Sequence, residues 1–257
     1  MIGRTTVLTA IFLVVVAFMF YQPSENVGEV IQQKVTLQVS EEISLYGDFY
    51  PEKSNKGIIL IHMYGEDRTS WDFLIHELRE KEYNVLTLDL RGHGESKPNR
   101  ELTQDDFDSM SSDLTSATDY LIEKKINEIS IMGASLGANV GLNFILNEPK
   151  AHRLVLLSPG IEYRGINVLE SAKYYDRPLL ILSSIGDEYS WDSSNQIFNL
   201  SPSRVRLEPY EGNIHGINIL KQIPKSKELL FKWLEENWLF RLQKAIQIID
   251  KITSTLS

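Results

Sequence analysis

Five residues, Gly133-Ala134-Ser135-Leu136-Gly137, constrain what this chain can fold into more than any others. They lie between the apolar run Ile129-Ser130-Ile131-Met132 and a helical pattern that begins at Ala138. A strand that turns this abruptly into a helix forces the residue between them into a cramped backbone conformation. Small residues two positions either side of Ser135 let strand and helix approach without a clash. The serine oxygen is then raised above the sheet, over a helix N-terminus that favours nearby negative charge. The pattern predicts a nucleophilic serine on a strand-to-helix elbow.

The rest of the chain supplies a sheet for that elbow. Lys34 to Tyr50 alternates apolar and polar residues (Val35, Leu37, Val39, then Ile43, Leu45), the period of a half-buried antiparallel hairpin. Short continuous apolar runs follow at Ile58-Ile59-Leu60-Ile61, Val85-Leu86-Thr87-Leu88, Ile129-Ser130-Ile131-Met132, Leu154-Val155-Leu156-Leu157 and Leu179-Leu180-Ile181-Leu182. Such runs suit strands buried on both faces of a parallel sheet. Helical patterns lie between and after them, over Trp71 to Lys81, Phe107 to Lys125, Ala138 to Asn147 and Ile223 to Glu236. Alternating strands and helices predict an α/β domain with right-handed crossovers, over residues 35–236. Between Leu157 and Leu179 there is room for one short helix and loops but not for a helical lid, so an open site is expected.

Both ends carry further expectations. Arg4 precedes an uncharged run from Thr5 to Tyr21, long enough as a helix to reach about 26 Å, close to a hydrocarbon core. Small residues at a cleavage site are missing from Ala17-Phe18-Met19-Phe20-Tyr21, so an uncleaved anchor over 1–22 is favoured over a cleaved signal. With the positive charge at the tip, the remainder is expected on the extracytoplasmic side, or secreted if the segment is cleaved. Residues 23–34 read as a polar linker. The tail over 237–257 places Leu239, Leu242, Ile246 and Ile249 at helical spacing, an amphipathic helix that packs on the domain or meets a membrane or partner.

Composition removes several functions. The net charge of −9 lacks the basic footprint of nucleic-acid binding. With no cysteine there is no disulfide, thiolate metal site or cysteine nucleophile. No Gly-rich phosphate loop follows the first parallel strand, and no His-x-x-x-His or clustered ligand set is present, so neither cofactor nor metal is expected.

A serine hydroxyl needs a base to take its proton, and a histidine base needs a carboxylate to fix its tautomer. In a strand-elbow architecture the order is serine, acid, histidine. Of the five histidines only His152 and His215 follow Ser135, and His152 stands at the wrong end of its strand. His215, in Gly212-Asn213-Ile214-His215-Gly216, is the expected base. Asp187, which follows Leu179-Leu180-Ile181-Leu182-Ser183-Ser184-Ile185-Gly186, is the expected acid; Glu188 beside it and Glu162 after the preceding strand remain alternatives, while Asp192 is expected to face water. Two backbone N–H groups are expected to hold an oxyanion: that of Leu136, and one from His62-Met63-Tyr64-Gly65, Tyr64 first and Met63 second. His62 is expected to brace its loop.

In order and spacing, His62-Met63-Tyr64-Gly65, Asp89-Leu90-Arg91-Gly92-His93-Gly94-Glu95-Ser96, Gly133-Ala134-Ser135-Leu136-Gly137, Asp187 and His215 resemble the α/β-hydrolase superfamily. The resemblance runs from about Val35 to Glu236 and is similar to a lidless serine esterase or dienelactone-hydrolase-like member. It implies the α/β-hydrolase fold, a structural His93, and hydrolysis of small or medium carboxylic esters through an acyl-enzyme. His62-Met63 departs from the usual His-Gly. Amidase, peptidase or thioesterase chemistry would use the same residues, and a non-catalytic membrane-tethered binding protein is a rival of another class. Oligomeric state is not encoded legibly.

Overall fold

The computed structural model describes residues 31–98, 100–202 and 204–236. The expected anchor over 1–22, most of the linker and the tail over 237–257 lie outside the described residues. Among the described residues no helix is long and apolar enough to cross a membrane.

An eight-stranded sheet organises the domain. Its first two strands, β1 (Gln33–Gln38) and β2 (Ser44–Tyr50), form the expected antiparallel hairpin, and β2 joins the sheet antiparallel to β4 (Asn84–Leu88). The remaining neighbours are parallel: β4, β3 (Lys56–Ile61), β5 (Glu128–Ala134), β6 (Ala151–Leu157), β9 (Leu179–Ser184) and β10 (Val205–Tyr210). Ile58 to Ile61 and Leu179 to Leu182 are fully buried, which is why these strands read as unbroken apolar runs. Their side chains divide alternately between two cores. Ile59 and Ile61 face one with Leu142 and Phe144, whereas Ile58 and Leu60 face the other with Trp71, Leu74 and Trp233.

Several elements differ from the expectation. The helical pattern expected over Phe107 to Lys125 is two helices, α2 (Gln104–Asp113) and α3 (Thr115–Glu123), after α1 (Asp72–Glu80). The elbow helix α4 begins at Leu136 and runs to Asn147. Between β6 and β9 the chain makes a small hairpin, β7 (Glu162–Tyr163) and β8 (Ile166–Asn167), and one short helix α5 (Leu169–Tyr174). The long helix α6 (Glu188–Leu200) has no apolar signature because its inner face is largely serine: Ser190, Ser193 and Ser194 are buried there beside Ile197. A short α7 (Asn218–Gln222) precedes the helical residues 224–236.

Candidate active site

The parallel strands end along one edge of the sheet, and the loops beyond that edge carry the candidate residues. Ser135 caps α4 with φ +51° and ψ −118°, the strained turn expected of an elbow. Its N–H donates to Leu157 O at 2.8 Å, and its carbonyl accepts the Ala138 N–H at 2.9 Å. The flanking glycines are a steric necessity. A Cβ on Gly133 would stand 2.1 Å from Gly137 O, and one on Gly137 would stand 2.5 Å from the carbonyl oxygens of both Ile61 and His62.

Asp187 follows β9 and opens α6; its Oδ2 lies 2.6 Å from His215 Nδ1. With Nδ1–H donated to that carboxylate, Nε2 carries the lone pair. Ser190 Oγ flanks the same Nδ1 at 3.4 Å. Glu188 and Asp192 are exposed on α6, and Glu162 is exposed on β7, where its backbone, not its carboxylate, bonds the Tyr189 hydroxyl. The histidine loop is held to the nucleophile's neighbouring strand: the Gly216 N–H donates to Ser158 Oγ at 2.9 Å, just beyond β6.

Tyr163 connects the two halves. Its hydroxyl shares a hydrogen bond with Ser190 Oγ at 3.0 Å, and the Ser135 side chain is close by. Its ring meets that of His215 edge-on, with centroids 6.4 Å apart. Burial raises the phenol's pKa, partly offset by these two serines, so it stays protonated at neutral pH. The hairpin bearing Tyr163 is firmly tied. Fully buried Asn139, on the elbow helix, donates to Ile166 O at 2.9 Å and accepts the Gly160 N–H at 3.2 Å. Ser193 Oγ accepts the Ile161 N–H at 3.0 Å. Sequence reasoning missed Asn139, Ser158, Tyr163 and Ser190, because isolated polar residues carry no periodic signal. As expected, no helical lid stands between β6 and β9; Ser135 itself is 8% exposed, and the His215 side chain is 39% exposed.

Around the loop after β3, His62 is a neutral brace. Nε2 accepts the Leu90 N–H at 2.9 Å, so Nδ1–H must donate to Met63 O at 2.7 Å. Burial pulls its pKa down to about 4. His93 is also buried, with a lowered pKa for the same reason, and its ring packs tilted against His62 and edge-on to Tyr64. Within the Asp89–Ser96 segment, side chains tie down the surrounding backbone. Asp89 Oδ1 accepts the Arg68 N–H at 2.8 Å, its Oδ2 accepts the Glu95 N–H at 2.7 Å, and Ser96 Oγ donates to Asp89 O at 2.8 Å. Buried Arg68 bridges Asp48, Asp89 and Glu95, locking hairpin and loop together. His152 sits at the start of β6, at the opposite edge of the sheet from Ser135. Among the described residues no cluster of His, Asp or Glu could hold a metal ion.

The serine aminopeptidase S33 family model matches residues 52–169, a little under half of the chain. An uncharacterized protein of Mycobacterium bovis is 31% identical over 118 residues, covering 45% of this chain and 33% of that protein. A Mycoplasma genitalium protein provisionally named esterase/lipase 2 is 25% identical over 114 residues, 43% of this chain and 40% of that one. The chain thus aligns with only about a third of the length of the first of these curated relatives. Among solved structures, a Pyrococcus furiosus esterase superposes with a TM-score of 0.69 at 21% identity, over 80% of this chain and 93% of that one. A Pseudomonas aeruginosa hydrolase gives 0.66 at 17% identity, over 81% and 99%. At these identities the superpositions speak for the fold alone. Sheet order and these superpositions show the α/β-hydrolase fold, and residues 52–169 are similar to the serine aminopeptidase S33 family.

Proposed function

We propose that the protein is a serine hydrolase that cleaves carboxylic esters of small or medium size through an acyl-enzyme. The observation that carries this reading is the 2.6 Å Asp187–His215 contact on the same sheet edge as a strained Ser135. Ser135 Oγ attacks the acyl carbon while its proton passes to His215 Nε2, and Asp187 holds the resulting imidazolium. The oxyanion is met by the N–H groups of Leu136 and Tyr64. Leu136 opens α4, so its N–H has no partner within the helix. Met63 O is turned to the His62 ring, and in a trans peptide the Tyr64 N–H points the opposite way, which favours Tyr64 over Met63 as donor. Collapse of the intermediate expels the alcohol, which takes the proton from His215. Water then repeats the sequence on the acyl-serine, returning acid product and free enzyme.

The names of similar proteins, an esterase and a provisionally named esterase/lipase, support ester chemistry over the amide chemistry named by the family model. The test is covalent labelling of the full chain by a fluorophosphonate beside Ser135→Ala. Labelling of the wild type alone, with ester turnover reduced about 10³- to 10⁶-fold in the mutant, is expected. A folded wild type that takes no label would move the non-catalytic binding reading to first place.

A further inference from the structure

The hairpin that carries Tyr163 to Ser135 turns through Arg164 and Gly165, with φ of +55° and +84°. A two-residue loop with both φ values positive is normally Asn-Gly or Gly-Gly, because a bulky side chain is strained there. Here the first position is an arginine. Strain retained at an exposed turn points to a use for the side chain. Its guanidinium lies over the Tyr64 ring, with Cζ 4.0 Å from the centroid, and Gln104 Nε2 donates to its carbonyl at 3.1 Å. The ring positions the guanidinium without neutralising it and leaves its donor fork able to meet an anion.

Arg164 and Tyr64 form part of the wall of a cavity of about 440 Å³, completed by Lys97, Arg100, Glu101, Phe107 and their neighbours. Arg100 is committed to Asp106, whereas among the described residues neither Arg164 nor Lys97 forms an ion pair. Glu101 is the acidic residue on the wall, so two uncommitted cations face one carboxylate, in a chain whose net charge is −9. Two of its walls belong to segments that reach the proposed reaction centre. Tyr64 supplies a wall and, with its N–H, the proposed oxyanion donor; Arg164 follows Tyr163, whose ring meets that of His215.

We infer that this cavity is an anion subsite: the preferred substrates are esters whose acyl chain ends in a carboxylate, bound by Arg164 with help from Lys97. A carboxylate suits the planar, two-pronged guanidinium edge. The inference rests on the hydrolase reading and deepens it. Arg164 and Lys97 are exposed, so screening limits the gain, and a preference of about three- to tenfold is expected.

The test compares kcat/KM for mono(4-nitrophenyl) adipate and 4-nitrophenyl hexanoate in wild type, Arg164→Asn and Lys97→Ala. The wild type should favour the adipate ester; Arg164→Asn should bring the ratio near one, Lys97→Ala should lower it partway, and added salt should shrink it. Asparagine accepts positive φ, so Arg164→Asn should hold or raise Tm by about 1–3 °C, separating lost binding from lost folding. A wild-type ratio at or below one, or a ratio unchanged in Arg164→Asn, overturns the subsite. Free adipate provides a readout independent of turnover: it should raise the wild-type Tm more than hexanoate at matched ionic strength, and not that of Arg164→Asn. If neither ester is cleaved and fluorophosphonate does not label, the hydrolase reading has failed, and the adipate Tm shift alone decides whether the anion site stands.

Discussion

Gly137 and Gly141 sit one helical turn apart on the elbow helix, and replacing each by alanine should have opposite consequences. Both exchanges gain helix propensity, about 1 kcal/mol. At Gly137 the new Cβ would lie 2.5 Å from the backbone oxygens of Ile61 and His62. An ordinary carbon–oxygen contact is about 3.3 Å, so helix and strand must separate by about 0.8 Å. The obstacle is the backbone of β3, whose Ile58 to Ile61 are fully buried, so neither partner can swing aside. Overpacking of this kind costs about 3 kcal/mol, which leaves a net loss of about 2 kcal/mol and lowers Tm by about 4–8 °C. At Gly141 the nearest atom is Ile131 Cγ2 at 3.1 Å, then Ile61 Cδ1 at 3.4 Å, both ends of side chains that can yield. Gly141→Ala should therefore stay within about 1 kcal/mol of wild type. Activity should diverge further. The displaced pair at Gly137 bears the two proposed oxyanion donors, and a shift approaching 1 Å there should slow ester hydrolysis by about 10²-fold. Differential scanning calorimetry and 4-nitrophenyl acetate turnover read both effects. The reasoning is falsified if Gly137→Ala melts within 1 °C of wild type with turnover within about twofold.

Asp187→Asn should reduce turnover by about four orders of magnitude, while Glu162→Gln should leave it within a few-fold; the reverse order would relocate the acid. Tyr163→Phe removes the hydroxyl that bonds Ser190, the serine beside His215 Nδ1, and should change the rate of fluorophosphonate labelling by about two- to tenfold, with no change in fold by circular dichroism. His62 makes stability depend on pH. Its pKa falls from 6.5 unfolded to about 4 folded, so the unfolded chain binds the extra proton between those values. Its contribution is complete above about pH 6.5 and disappears as pH falls towards 4, amounting to about 3 kcal/mol. Urea unfolding at pH 7 and pH 4.5 should show the loss, and an equal pH dependence in His62→Asn would show that another group is responsible.

Much of the architecture was legible because burial on both faces leaves an unmistakable mark. Ile58–Ile61 and Leu179–Leu182 have no polar interruption, and the parallel pairing follows. The elbow was legible for a different reason: Gly133 and Gly137 are required by contacts between backbones, so the residue types could not be otherwise. What escaped had neither kind of mark. Strand β10 is a half-exposed edge strand interrupted by Pro209, and α6 buries serines where an amphipathic helix would bury leucines. The pairing of Asp187 with His215 could be expected from chain order, but Tyr163 could not. Its place depends on a two-stranded hairpin of four paired residues, held by Asn139 and Ser193 from elsewhere in the chain.

The hydrogen bond from Gly216 to Ser158 also bears on when the molecule becomes competent during its own synthesis. A nascent chain extended past Ser135 and α4 already holds the strands on one side of the elbow, with β6 and Ser158 next to emerge. It still has neither the proposed acid nor the proposed base, which lie 52 and 80 residues beyond Ser135. Closing those loops depends on β9 and β10 pairing at the sheet's far edge. A fragment or half-folded intermediate therefore carries a chemically silent serine. With the proposed triad, reactivity towards an active-site probe should report completed folding, because its acid and base are placed only when the last strands pair.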